Sequence, residues 1–98
     1  MVVLRNCFIA KPGSASKLAA MMKAAFAAAG IPKHRVLTDL TGDFDRVIVE
    51  FEAADAGAAE ATIRQYRSSA AFRELMSGYT DLWVSGSREI LTVVESAA

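Results

Sequence analysis

Cysteine is nearly absent: Cys7 stands alone among 98 residues, so no internal disulfide can form, and the chain fits a reducing cytoplasm. Histidine is equally scarce. With His34 the sole one and Cys7 far from it in sequence, the three or four ligands of a zinc or structural metal site are lacking. An excess of one charge is also missing, because eleven Lys and Arg balance eleven Asp and Glu; neither nucleic acid nor an anionic membrane meets an electrostatic footprint. The glycines, at 13, 30, 42, 57, 78 and 86, form no Gly-x-Gly-x-x-Gly and no phosphate loop, so nucleotide binding has no support. The longest apolar stretch, Leu18 to Gly30, is interrupted by Lys23 and starts too far in for a signal peptide, and its lysines are too few for a membrane-surface helix. No metal, cofactor, nucleic acid or membrane is expected as a partner.

What is present is apolar. Hydrophobic residues make up 53% of the chain, with mean hydropathy +0.27; that is too apolar for disorder and high for a small monomer. The length suits one domain, residues 1–98. Some apolar surface therefore calls for cover by a partner.

Val2 to Ala10 is rich in β-branched and aromatic residues and stops at Lys11-Pro12-Gly13, which predicts a strand and a turn. Ser14 or Ser16 can cap a helix over 15–29, with Leu18, Met21, Met22, Ala25, Phe26 and Ala29 on one face and Gly30 and Pro32 as its stop. His34 to Thr41 and Arg46 to Ala53 read as a hairpin around Gly42-Asp43-Phe44-Asp45, where the aspartates are turn residues rather than a cation site. Asp55 can cap a second helical region anchored by Ile63 and Tyr66. It pauses near Ser68-Ser69 and resumes, since Phe72, Leu75, Met76, Tyr79, Leu82 and Trp83 recur at helical spacing, until Gly86. Arg88 to Ser96 is the last strand.

The order β-α-β-β-α-β, with right-handed crossovers, predicts an α+β, ferredoxin-like fold: a four-stranded antiparallel sheet with its helices on one face. In the third strand Val47, Val49 and Phe51 point one way, while Ile48 points the other way with Arg46, Glu50 and Glu52. A sheet face wetted by solvent alternates more cleanly than this. Ile48 and Glu50 thus mark a face for a two-fold contact with a second copy of the chain.

Few residues carry chemical promise on their own. His34 is the first candidate for a general base, a proton donor or a haem ligand, although the wet start of a strand also suits a locally hydrogen-bonded histidine. Arg5 and Asn6 are polar in a central strand and must find partners, for which Glu50 and Asp39 are available; a plain inter-sheet salt bridge or a dimer contact is the commoner explanation of such residues. Cys7 reads as a buried, inert thiol. Phe72, Tyr79 and Trp83 read first as the packed face of the second helix.

The element order, the Lys11-Pro12-Gly13 turn and the closing run Arg88-Glu89-Ile90-Leu91-Thr92-Val93-Val94-Glu95 resemble the dimeric α/β-barrel superfamily, most of all small NIPSNAP-like proteins. That resemblance covers nearly the whole chain. It implies two sheets packed face to face across a homodimer, with a small pocket between sheet and helices in each subunit. The superfamily includes antibiotic-biosynthesis monooxygenases, polyketide cyclases, haem-degrading enzymes and proteins of no assigned activity, so the fold does not select a function. Three readings follow: a dimer binding a small apolar or aromatic molecule; a cofactor-independent monooxygenase or polyketide cyclase; and a structural dimer without ligand. For a site of the monooxygenase kind the resemblance implies Arg5, Asn6, Tyr66, Arg67, Tyr79 and Trp83 as pocket residues, with Asn6 and His34 as catalytic candidates. Whether Asn6 and His34 reach one cavity discriminates between binding and catalysis.

Overall fold

A computed structural model describes residues 1–97. Strand β1 (Val2–Ala10) is followed by helix α1 (Ala15–Ala28), β2 (Arg35–Thr38) and β3 (Arg46–Ala53). Helices α2 (Ala56–Ser68) and α3 (Ala70–Leu75), a 3-10 turn (Tyr79–Asp81) and β4 (Trp83–Thr92) complete the chain. The strands lie in the order β2-β3-β1-β4, and every neighbouring pair is antiparallel. This is the expected ferredoxin-like arrangement, with β1 inside the sheet and β2 and β4 at its edges.

The helix boundaries follow from local chemistry. The Asp55 carboxylate accepts the Ala58 N–H at 2.8 Å, and the Ser69 hydroxyl accepts the Phe72 N–H at 3.2 Å, so each occupies an otherwise unpaired donor of a first turn. Ser14 precedes α1 but its side chain makes no such bond. At the other end of α1, Gly30 takes φ +69°. Its N–H donates to the Ala27 carbonyl at 3.1 Å, and the Ile31 N–H donates to that of Phe26 at 3.3 Å. This is a Schellman closure, and it drives Ile31 into the core beside Phe26.

Three sequence expectations are corrected. The helical spacing through Tyr79, Leu82 and Trp83 does not continue α3, because Gly78 at φ +81° breaks it and only a 3-10 turn follows. Trp83 instead opens β4, and Gly86 lies within that strand rather than ending a helix. A Cβ at Gly86 would stand 3.2 Å from the Phe8 ring, so a side chain there would press that ring to shift. Finally, β2 stops at Thr38, because Asp39 turns back to accept both the Arg46 N–H and its Nε–H at 2.9 Å.

The core lies between sheet and helices. Leu4, Val47, Val49 and Phe51 from the strands meet Leu18, Met22, Ala25 and Phe26 of α1 and Ala59, Ile63 and Tyr66 of α2. Each such large side chain contributes about 1.5–3 kcal/mol by leaving water. Side chains alternate along a strand, so Leu4, Asn6, Phe8 and Ala10 of β1 face the helices while Val3, Arg5, Cys7 and Ile9 face the bare side.

These caps predict an asymmetry. Asp55→Ala should cost about 1 kcal/mol of stability, whereas Ser14→Ala should cost little. Thermal denaturation checks this, and equal losses at the two positions would contradict the capping account.

Candidate functional site

The register of β1 builds two polar clusters from adjacent residues. Asn6 is opposite Val49 on one side and Arg88 on the other, all on the helix side. Asn6 is 6% exposed. Its Oδ1 accepts the Arg88 Nε–H at 2.7 Å, and the Arg88 Nη2 donates onward to the Tyr66 hydroxyl at 3.5 Å. These three side chains border a cavity of about 100 Å³ between sheet and helices, together with Arg67 and Tyr79.

Two groups of rings lie around that cavity, with Trp83 alone among them set back from its lining. Phe26, Tyr66 and Phe72 have ring centroids 4.9–5.2 Å apart. Phe8, Tyr79 and Trp83 form the other group, at 5.4–6.5 Å. Such spacings suit tilted and edge-to-face contacts, which hold rings at fixed angles. Met22 and Met76 also line it.

On the bare side, Arg5 sits opposite both Glu50 and Glu89, and Glu50 in turn opposite Arg35. The row Arg35, Glu50, Arg5, Glu89 therefore crosses all four strands with alternating charge. The Arg5 Nε donates to Glu50 Oε2 at 2.9 Å, the Arg35 Nη2 donates to its other oxygen, and Arg5 lies 3.7 Å from Glu89. Glu50 is only 3% exposed. Burial pushes its carboxyl pKa up, but the hydrogen bonds and charges of Arg35 and Arg5 together outweigh that, and the pKa lies below the usual glutamate range. Next to this row stand Leu37, Ile48, Cys7 and Ser87, so the ions are flanked by apolar groups.

The candidates thus separate. Asn6, Tyr66, Arg67 and Tyr79 reach one cavity. Arg5 does not, because its odd position in β1 turns it to the bare face. Trp83 does not border the cavity either; it packs behind Phe8, and its indole N–H is buried without a partner among the described residues. His34 is directed elsewhere. Its Nδ1 lies 2.6 Å from the Ile31 carbonyl, and since a carbonyl only accepts, that nitrogen carries the proton. His34 borders a wider depression of about 520 Å³ with Arg35, Glu50 and Glu52. Asn6 and His34 therefore do not converge.

Glu50 partners Arg5, as the sequence allowed, but Asp39 is taken by Arg46 and the partner of Asn6 is Arg88. Arg88 was not among the expected site residues; its parity with Ile90 was readable, while its pairing with Asn6 depends on register. Cys7 is half-buried rather than fully so, and burial raises its pKa, which keeps it a thiol. Among the described residues no group of three or more His, Cys, Asp or Glu is placed to hold a metal ion. No helix among them is long and apolar enough to cross a membrane.

The architecture and the position of the cavity define a ferredoxin-like α+β protein, and solved structures of that class match it closely in shape. An uncharacterized NIPSNAP-like domain protein from Burkholderia xenovorans superposes with TM-score 0.83 at 14% identity, over 99% of this chain and 88% of that one. A NIPSNAP family protein from Agrobacterium tumefaciens gives 0.79 at 12% identity, over 93% and 90% of the two chains. A candidate antibiotic biosynthesis monooxygenase from Chloroflexus aurantiacus gives 0.72 at 16% identity, over 99% and 96%. At such identities the likeness is one of fold. No family model and no curated protein matches the sequence.

The Glu50 cluster predicts a pH dependence. A carboxyl whose pKa is lowered on folding stabilises the fold above its unfolded pKa, and that contribution is lost as pH falls through the folded value. Glu50→Gln should cost about 1–2 kcal/mol at neutral pH, discounted because Arg5 and Arg35 are partly solvated. The variant's stability should also fall less on acidification than the wild type's. Parallel acid limbs in urea titrations of the two proteins would contradict the assignment.

Proposed function

We propose that this protein is a cytoplasmic homodimer, closed through the bare faces of its sheets, in which each subunit holds a small organic molecule in the helix-side cavity. The observation that carries the binding reading is the Asn6–Arg88–Tyr66 relay at the polar end of an otherwise aromatic cavity. A ligand site needs a few placed polar groups in an apolar wall, and here Asn6 and Tyr66 are buried at the wall while Arg88 reaches solvent at the mouth.

Support for the dimer comes from the other face. Leu37 and Leu91 are 37% and 40% exposed and flank the charged row on the same side as Ile48. An apolar face of this kind calls for cover. The alternating signs of Arg35, Glu50, Arg5 and Glu89 make the row self-complementary, as a two-fold contact requires.

The reading as a cofactor-independent monooxygenase or polyketide cyclase comes second. It has Asn6, Tyr66, Arg67 and Tyr79 on one cavity in its favour. Against it, His34 is elsewhere, and about 100 Å³ is less than the roughly 150 Å³ that admits one benzene. A fused polyketide would need the helices to part.

Native mass spectrometry tests the proposal. The wild type should appear at twice 10.5 kDa with a small retained mass, and Ile48→Asp should appear as a monomer. A monomeric wild type would overturn the dimer. An Ile48→Asp dimer would overturn the assignment of faces, and a bare dimer would favour the structural reading.

A further inference from the structure

We propose that the molecule held in the helix-side cavity is a small carboxylate, carried on a short apolar chain. This rests on the reading of that cavity as a binding site and names the class of ligand.

The Asn6 carbonyl oxygen already accepts from Arg88, so the amide presents its N–H groups. The Tyr66 oxygen accepts from the same guanidinium, which leaves its O–H proton to donate. Arg88 uses Nε on Asn6 and one Nη2 proton on Tyr66, and its remaining N–H groups are free to donate. Arg67 brings a second guanidinium. The remaining capacity of all four is donation, and no Asp or Glu borders the cavity.

The placement of charge points the same way. The protein is neutral overall, but its ion pairs join Arg5, Lys33, Arg35 and Arg46 to Glu50, Glu89, Glu52 and Asp39. None of them takes Arg67 or Arg88. Among the described residues these two cations have no carboxylate within 4.0 Å, and they share one cavity. A cationic ligand would meet repulsion there, and a neutral one would gain no charge-assisted contact. A carboxylate matches the planar guanidinium fork with two oxygens.

Shape sets the remainder of the ligand. The walls are Phe26, Phe72 and Met22, which suit carbon and not a second polar group. Both arginines are solvent-exposed, so they stand at the mouth. The apolar part of the ligand enters and the carboxylate stays outermost, where its desolvation costs least. The tether from Asn6 and Tyr66 orients Arg88 before a ligand arrives, which reduces the entropy lost on binding.

The test is an NMR titration of the intact protein with butyrate, butyramide and butylamine, following the Asn6 side-chain amide and the Arg88 Nε–H. Butyrate should bind saturably and shift both signals, with butyramide about ten- to a hundredfold weaker, as the loss of a charge-assisted contact implies. Arg88→Gln should weaken butyrate by a similar factor while leaving butyramide unchanged. Arg67→Gln, at an exposed residue with no structural hydrogen bond, should fold as the wild type does and weaken butyrate severalfold. Butyramide or butylamine binding as tightly as butyrate would overturn the carboxylate assignment and leave the cavity a binding site. Failure of all three probes to bind would overturn it as well, and the reading of the cavity would then depend on whether native spectra retain a mass.

Discussion

Everything in this fold that bears on function depends on the pleat of β1. It runs between β3 and β4, so each of its side chains has a neighbour on both sides, and consecutive residues point to opposite faces. Arg5 and Asn6 are adjacent in sequence and divided by the sheet. Arg5 meets Glu50 and Glu89 on the bare side, and Asn6 meets Arg88 under the helices. A slip of one residue in register would exchange the two environments, placing an arginine in the core and an asparagine among carboxylates.

That division also sorts the charge. A chain with no net charge contains a bare face rich in paired ions and a cavity whose cations are unpaired. Glu50 is central to the first, because a nearly buried carboxylate is tolerable only with strong donors at both oxygens. Arg88 is central to the second. The proposed dimer and the proposed ligand site thus use opposite faces of one strand, and neither requires the other's residues.

How much of this the sequence disclosed follows from the range of the interactions involved. Strands β1 and β3 and helix α1 are legible because period two and period 3.6 are local, as are Asp55 as a cap and Gly30 as a stop. The start of β4 is not, since Tyr79, Leu82 and Trp83 fall at helical spacing, and Gly86 looks like punctuation until the Phe8 ring above it is known. Asn6, Tyr66, Arg67 and Tyr79 are suggested by residue type. Arg88 is hidden because its role is conferred by cross-strand pairing over 82 residues of sequence. His34 attracts notice by rarity alone, yet a bond to a carbonyl three residues back accounts for it.

The most direct test of this two-faced account uses Cys7, the single thiol, which lies half-buried on the bare face beside Ile48. Its rate of labelling by a thiol reagent reports whether that face is covered. If a second copy covers it, wild-type Cys7 should react more slowly than Cys7 in the Ile48→Asp variant, with the difference widening as protein concentration rises. Equal rates in the two proteins, unchanged by concentration, would contradict the account.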